Sequence, residues 1–220
     1  MKGRIPVYLE VTRKRTFAGA IEWPGWCRAG KTPEDALDAL VAYADRYGAV
    51  ISRSRLGFEG PASVEDLEVV ERLTGNATTE FGAPGVPPKA DLRPLPAAER
   101  KRLTTILEAS WRAFDRIAGA AVGVELTKGP RGGGRDLPKM RNHVLEAEEG
   151  YLSALGSRRP AAAGALYKTV LTALAARAQN KPVADPNKVK KLWSPRFYVR
   201  RSAWHALDHA WEIEDRSEEK

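Results

Sequence analysis

A chain of 220 residues, 43% of them hydrophobic, is long enough for one large domain or two small ones with a buried core, and no window approaches the roughly 18 apolar residues of a membrane span. Its single cysteine, Cys27, excludes an internal disulfide framework and any cysteine-cluster metal site, so a bound metal would need nitrogen and oxygen ligands. The net charge of +8 comes from clusters such as Arg13-Lys14-Arg15 and Arg100-Lys101-Arg102 that alternate with acidic runs such as Glu146-Ala147-Glu148-Glu149, which reads as solvated helix faces and makes nucleic acid an unexpected partner.

The chain opens as sheet. Val7 to Val11 and Phe17 to Trp23 carry β-branched and aromatic residues on either side of the polar stretch Thr12 to Thr16, which predicts a β-hairpin whose second strand is broken by Pro24-Gly25. Cys27, just beyond, reads as a small buried hydrophobe rather than a nucleophile. Thr32-Pro33-Glu34-Asp35 supplies a hydroxyl N-cap, a proline at the first helical position and acids in the first turn. The helix it starts has Ala36, Leu37, Leu40, Val41 and Ala44 on one face, spaced to cover the sheet.

From Gly75 to Pro96 the sequence turns rich in Gly, Pro and Ala, and the run Gly82 to Pro88 can hold neither a helix nor a central strand. We therefore read three parts: an α+β module over 1–75, a linker over 76–96 and a helical part over 97–220. Helical patterns span Ala97 to Val122, about Leu137 to Leu155, Ala161 to Asn180 and about Pro195 to Ser217, separated by Gly129 to Gly134, by Gly156 with Pro160, and by Pro182 with Pro186. Four helices with short and medium connections predict a four-helix bundle, and so an α+β fold overall.

All three histidines of the chain lie in the helical part. His205 and His209 are four residues apart, so both imidazoles share one helix face, and His143 on the second helix is the remaining histidine able to complete a set of three. Neutral imidazoles suit zinc, nickel, copper or iron, and three protein ligands leave a position open for water or substrate. At roughly 100° per residue the last helix puts Tyr198, Arg201, His205, His209, Glu212 and Arg216 in one stripe, polar where a bundle core is ordinarily apolar. Turned inward, that stripe needs partners. Glu212 on the stripe and Glu146, about one turn beyond His143, are candidates to orient a ligand or act as base, whereas Tyr198 and Trp204 read as packing residues.

Arg201-Ser202-Ala203-Trp204-His205-Ala206-Leu207-Asp208-His209-Ala210-Trp211-Glu212, with His143 upstream, resembles the DinB-like metal-binding four-helix-bundle superfamily over roughly the last 125 residues. The resemblance implies metal ligation by His143, His205 and His209, with zinc or nickel foremost among the ions. It also implies a thiol-dependent transferase or isomerase that uses a low-molecular-weight thiol and acts on a small molecule. Arg201 and Arg216 would hold a carboxylate of thiol or substrate, and Glu212 completes the set of catalytic candidates. The rival reading is a non-catalytic regulatory or adaptor protein.

Phe17 to Trp23 followed by Pro24-Gly25-Trp26-Cys27 and Gly30-Lys31-Thr32-Pro33-Glu34-Asp35 resembles a HicB-like antitoxin domain, with Trp26 intervening between the Pro-Gly turn and the cysteine. That resemblance implies a module that contacts a protein or RNA partner. No DNA-binding segment follows it, which leaves homodimerisation or a lid as its roles in this chain. A cytoplasmic location is expected, with no membrane partner.

Overall fold

The computed structural model describes residues 3–128, 134–162, 164–181 and 192–218. It is an α+β fold with a four-stranded sheet and seven α-helices among the described residues. Strands β1 (Ile5–Val11), β2 (Thr16–Ala20) and β3 (Cys27–Gly30) form an antiparallel meander, and β4 (Leu67–Thr74) adds to the outer edge of β1 in parallel, giving the order β3-β2-β1-β4. A parallel neighbour requires a crossover, and α1 (Pro33–Ala42) and α2 (Ala44–Ile51) supply it. The start of α1 follows its sequence: the Thr32 hydroxyl accepts from the Asp35 amide while the Asp35 carboxylate accepts from the Thr32 amide, a reciprocal cap.

The predicted hairpin is present, but β2 ends at Ala20 rather than Trp23. The carbonyls of Ala20 and Ile21 turn away to accept from Arg200, which directs the chain onto the last helix instead of along the sheet. Two glycines make the close approaches that follow. A Cβ at Gly19 would lie 2.5 Å from the Tyr8 ring, so only glycine lets that ring cross the strand. Gly25 has φ of +94°, and a Cβ there would meet Ala203 and Leu207 at 3.1 Å. The Pro24-Gly25 break is thus the point where the sheet rests on the last helix. Cys27 is buried, as expected, and burial pushes its thiol up to about 12.

Residues 76–96 contain a short helix, α3 (Ala77–Phe81), and a single 3-10 turn over Lys89–Leu92, and residues 82–88 hold neither helix nor strand. The segment is fastened to both sides. Buried Glu10 of β1 accepts from the Thr79 hydroxyl and from the amides of Gly85 and Val86, and Asp91 pairs with Arg200.

Beyond it run α4 (Ala97–Ala120), α5 (Leu137–Ala154), α6 (Leu166–Ala178) and α7 (Pro195–Glu218). The third of these starts five residues later than its pattern suggested, and its N-cap residue, Ala165, offers no side-chain cap. The four helices enclose one apolar core that includes Ile106, Phe114, Met140, Leu152, Val170 and Ile213. A second cluster joins the two parts of the chain: Val7, Leu9, Trp26, Leu40 and Tyr47 pack with Ala109 and Ala113 of α4 and with Leu207 and Trp211 of α7. At roughly 25 cal/mol per Å² of apolar surface removed from water, burial of these side chains stabilises the packing of the sheet on the helices. Among the described residues no helix is long and apolar enough to cross a membrane.

Candidate metal centre

The polar stripe of α7 does turn inward. Tyr198, Arg201, His205, His209 and Arg216 are all buried, and Glu212 is partly buried. Apart from Arg201, whose Nη1 meets no acceptor, each approaches a partner on another element or one turn away. Tyr198 donates to Glu148 of α5, His205 meets His143 of α5, and His209 and Arg216 share Glu212. Helical spacing put these groups on one line, and the apolar residues flanking it (Val199, Ala203, Ala206, Ala210, Ile213) set that line against α5.

The three imidazoles form a near-equilateral triangle, with ring centroids 4.7 Å apart for His205 and His209, 5.0 Å for His143 and His209, and 5.1 Å for His143 and His205. Their ligand nitrogens all lie within 4.8 Å of one another, close enough to hold one metal ion. His143 Nε2 and His205 Nε2 are 3.2 Å apart. Zinc bonds of about 2.0–2.1 Å at the tetrahedral angle separate two ligand nitrogens by about 3.3 Å, so that pair already has the spacing of a shared ion.

Electrostatics keep the lone pairs available. Burial, then the neighbouring charges of His209 and Arg201, holds the His205 imidazole well below its usual range, and burial with His209 lowers His143. Burial alone would raise the Glu212 carboxyl, but its bonds to His209 and Arg216 outweigh that and keep it below the ordinary value, hence ionised. The carboxylate accepts from His209 Nδ1–H at 2.9 Å, which fixes the tautomer and leaves Nε2 of that ring free to bind a cation. Arg216 secures the carboxylate at 3.0 Å and is itself held by the Thr127 and Arg135 carbonyls at 2.7 and 2.9 Å.

Glu212→Gln is therefore expected to weaken metal affinity about 10–100-fold without changing stoichiometry, read by competition against a chromophoric chelator. An unchanged affinity would mean that Glu212 does not hold His209.

Depressed imidazoles also fix a pH dependence. The unfolded chain takes up protons at its histidines near pH 6.5, whereas native His205 and His143 resist until lower pH. Their contribution to stability is present above about pH 6.5 and is lost as pH falls through the native values. Metal-free protein should thus lose melting temperature between pH 7.5 and 5.5, and His205→Gln, which removes one of the titrations, should lose less. Equal losses would contradict the assignment.

Other candidates fall into place around this centre. Glu146 is exposed, and the inward acid of α5 is Glu148, which sequence spacing missed. Burial raises its carboxyl above the ordinary value; Ser202 Oγ donates to it at 2.5 Å, and Trp111 Nε1 donates to Ser202 at 3.3 Å. Trp204 packs edge-on against Phe17 of the sheet. Arg216 gives Nε and Nη1 to backbone carbonyls and Glu212, which positions the Glu212 carboxylate. Arg28 of β3 reaches Asp208, between the two histidines of α7, at 2.9 Å, bringing the sheet to the edge of the site. A cavity of about 860 Å³ opens beside Arg216 between residues 122–128 and the start of α5, and none of the three histidines lines it.

Compared with protein-family models, curated proteins and solved structures, the chain gave no match.

Proposed function

We propose that His143, His205 and His209 bind one divalent transition ion, zinc or nickel foremost, and that the protein is a metal-dependent enzyme acting on a small molecule. The observation that carries this reading is the convergence of every histidine of the chain on one point, two of them buried and His143 partly so, with the Nδ1 of His209 already committed to a carboxylate. In the same reading α4 to α7 form a DinB-like four-helix bundle and residues 1–75 a HicB-like module. A thiol S-transfer or related reaction is the activity that the DinB likeness implies.

The ion, when bound, would supply a Lewis acid able to lower the pKa of water or a thiol in the position that three protein ligands leave open. The chain's own residues present neutral imidazoles, hold His209 in one tautomer through Glu212 and Arg216, and set the rings of Tyr151 and Trp204 beside His205. The rival adaptor reading requires the N-terminal module to present itself to a partner. Its main apolar cluster is shared with α4 and α7, which favours a module that braces α7 instead.

Activity is tested by incubating metal-loaded protein with cellular low-molecular-weight thiols and an activated electrophile. Thiol consumption that disappears in His205→Ala is expected. No turnover with any thiol would remove the transferase reading and leave the metal site standing.

A further inference from the structure

Along the inward stripe of α7 every polar group has a partner except at one place. Arg201 Nη1 and Trp204 Nε1 are buried, are donors that cannot accept, and have no hydrogen-bond partner among the described residues. The two side chains are neighbours: the Arg201 guanidinium carbon lies 4.6 Å from the Trp204 ring centre and 5.4 Å from that of Tyr151. Both rings touch the histidine cluster, at 5.7 Å from the His205 ring for Tyr151 and 6.1 Å for Trp204.

The nearby carboxylates are already committed. Asp208 is held by Arg28, Glu10 by Thr79 and the amides of Gly85 and Val86, and Glu148 by Tyr198 and Ser202. Arg201 has the Tyr151 hydroxyl as a hydrogen-bond partner and feels the charges of Glu10 and Asp208, but Nη1 itself meets no acceptor, and a buried donor without one is strongly unfavourable. The missing group is therefore an acceptor, and beside a guanidinium negative charge suits it. One cation balances a monoanion, whereas a phosphate dianion would leave a second charge uncompensated in the same enclosure.

We propose that Arg201 and Trp204 receive the carboxylate of a small-molecule ligand whose other end faces the three histidines. Only the direction of the ligand rests on the metal-centre reading; the anion contact stands without a metal.

The chain has six tryptophans, so six indole N–H signals are expected in a ¹H–¹⁵N spectrum, and Trp204→Phe identifies one of them. Protein of measured zinc content is titrated with acetate, propionate and butyrate and, separately, with the corresponding amides. The Trp204 signal should shift saturably with at least one carboxylate and with none of the amides, and Arg201→Met should weaken that response at least tenfold. Arg201→Met should also melt no lower than wild type without carboxylate, because it removes a desolvated charge together with its unpartnered donor, and Arg201→Lys should keep a weaker response. No saturable shift, an equal response to the amides, or a response that survives in Arg201→Met would overturn the proposal and assign the two donors to an enclosed water. Zinc content that does not depend on the histidines would overturn the metal reading alone, because the indole response is read separately.

Discussion

Asp91→Ala is expected to destabilise the protein by about 3–5 kcal/mol, the ordinary cost of leaving one member of a buried ion pair alone. Arg200 and Asp91 are 4% and 2% exposed, and they meet through two parallel bonds, Nε to Oδ2 at 2.6 Å and Nη2 to Oδ1 at 2.8 Å. Two further donors of the guanidinium go to the carbonyls of Ala20 and Ile21 at 2.6 and 2.9 Å. One arginine of α7 therefore holds the end of β2 and the segment before α4 together, five residues ahead of His205. Without Asp91 the cation keeps only two neutral acceptors. Urea denaturation should show the loss as a lower midpoint, and the double change Arg200→Met with Asp91→Leu should recover much of it, since it removes the charge along with its partner. A loss below about 1 kcal/mol for Asp91→Ala would place the pair in contact with solvent.

Zinc at 1,000 times its dissociation constant should stabilise the native state by about 4 kcal/mol, because the unfolded chain does not hold the three imidazoles together. For a chain of this size that corresponds to a rise in melting temperature of roughly 8–16 °C. His143→Ala, His205→Ala and His209→Ala should each remove most of the rise while changing the metal-free melting point far less. His143, on α5, is the most informative of the three, since its loss leaves the pair on α7 intact. If zinc stabilises the His143 variant as much as wild type, the binding site is the α7 pair alone or lies elsewhere.

Much of this centre was legible in the sequence for one geometric reason. Spacing of three and four residues places side chains on one helix face whatever the rest of the fold does, so the α7 stripe and the pairing of His205 with His209 followed from numbering alone. The Thr32 cap and the Pro24-Gly25 break are likewise local. What was not legible depends on contacts between distant segments. Leu67–Thr74 became a strand because β1 lies ready to pair with it some sixty residues earlier, while its own Glu68, Glu71 and Arg72 blur the alternation. Glu146 and Glu148 are both compatible with the pattern of α5, and only the rotation of α5 against α7 selects Glu148 as the inward acid. The Arg200 and Asp91 pair spans 109 positions, and no spacing rule announces it.

The composition of residues 76–96 correctly excludes long regular structure, yet composition does not reveal fastening. Glu10, read only as part of an apolar strand, is the residue that gathers Thr79, Gly85 and Val86 onto the sheet. Burial raises its carboxyl despite those bonds. The sheet, the segment after it and α7 thus meet around Arg200, Arg201 and Trp204, next to the histidines, which is why the N-terminal residues belong in any account of the site.

The measurement that bears most directly on the central claim is elemental analysis of untagged protein purified without imidazole, run beside the His205→Ala, His209→Ala double variant. About one equivalent of a transition metal in the wild type and none in the folded variant is the predicted result. No metal in the wild type, with no uptake of added zinc or nickel, would contradict it and reduce the three histidines to a hydrogen-bonded cluster in the core.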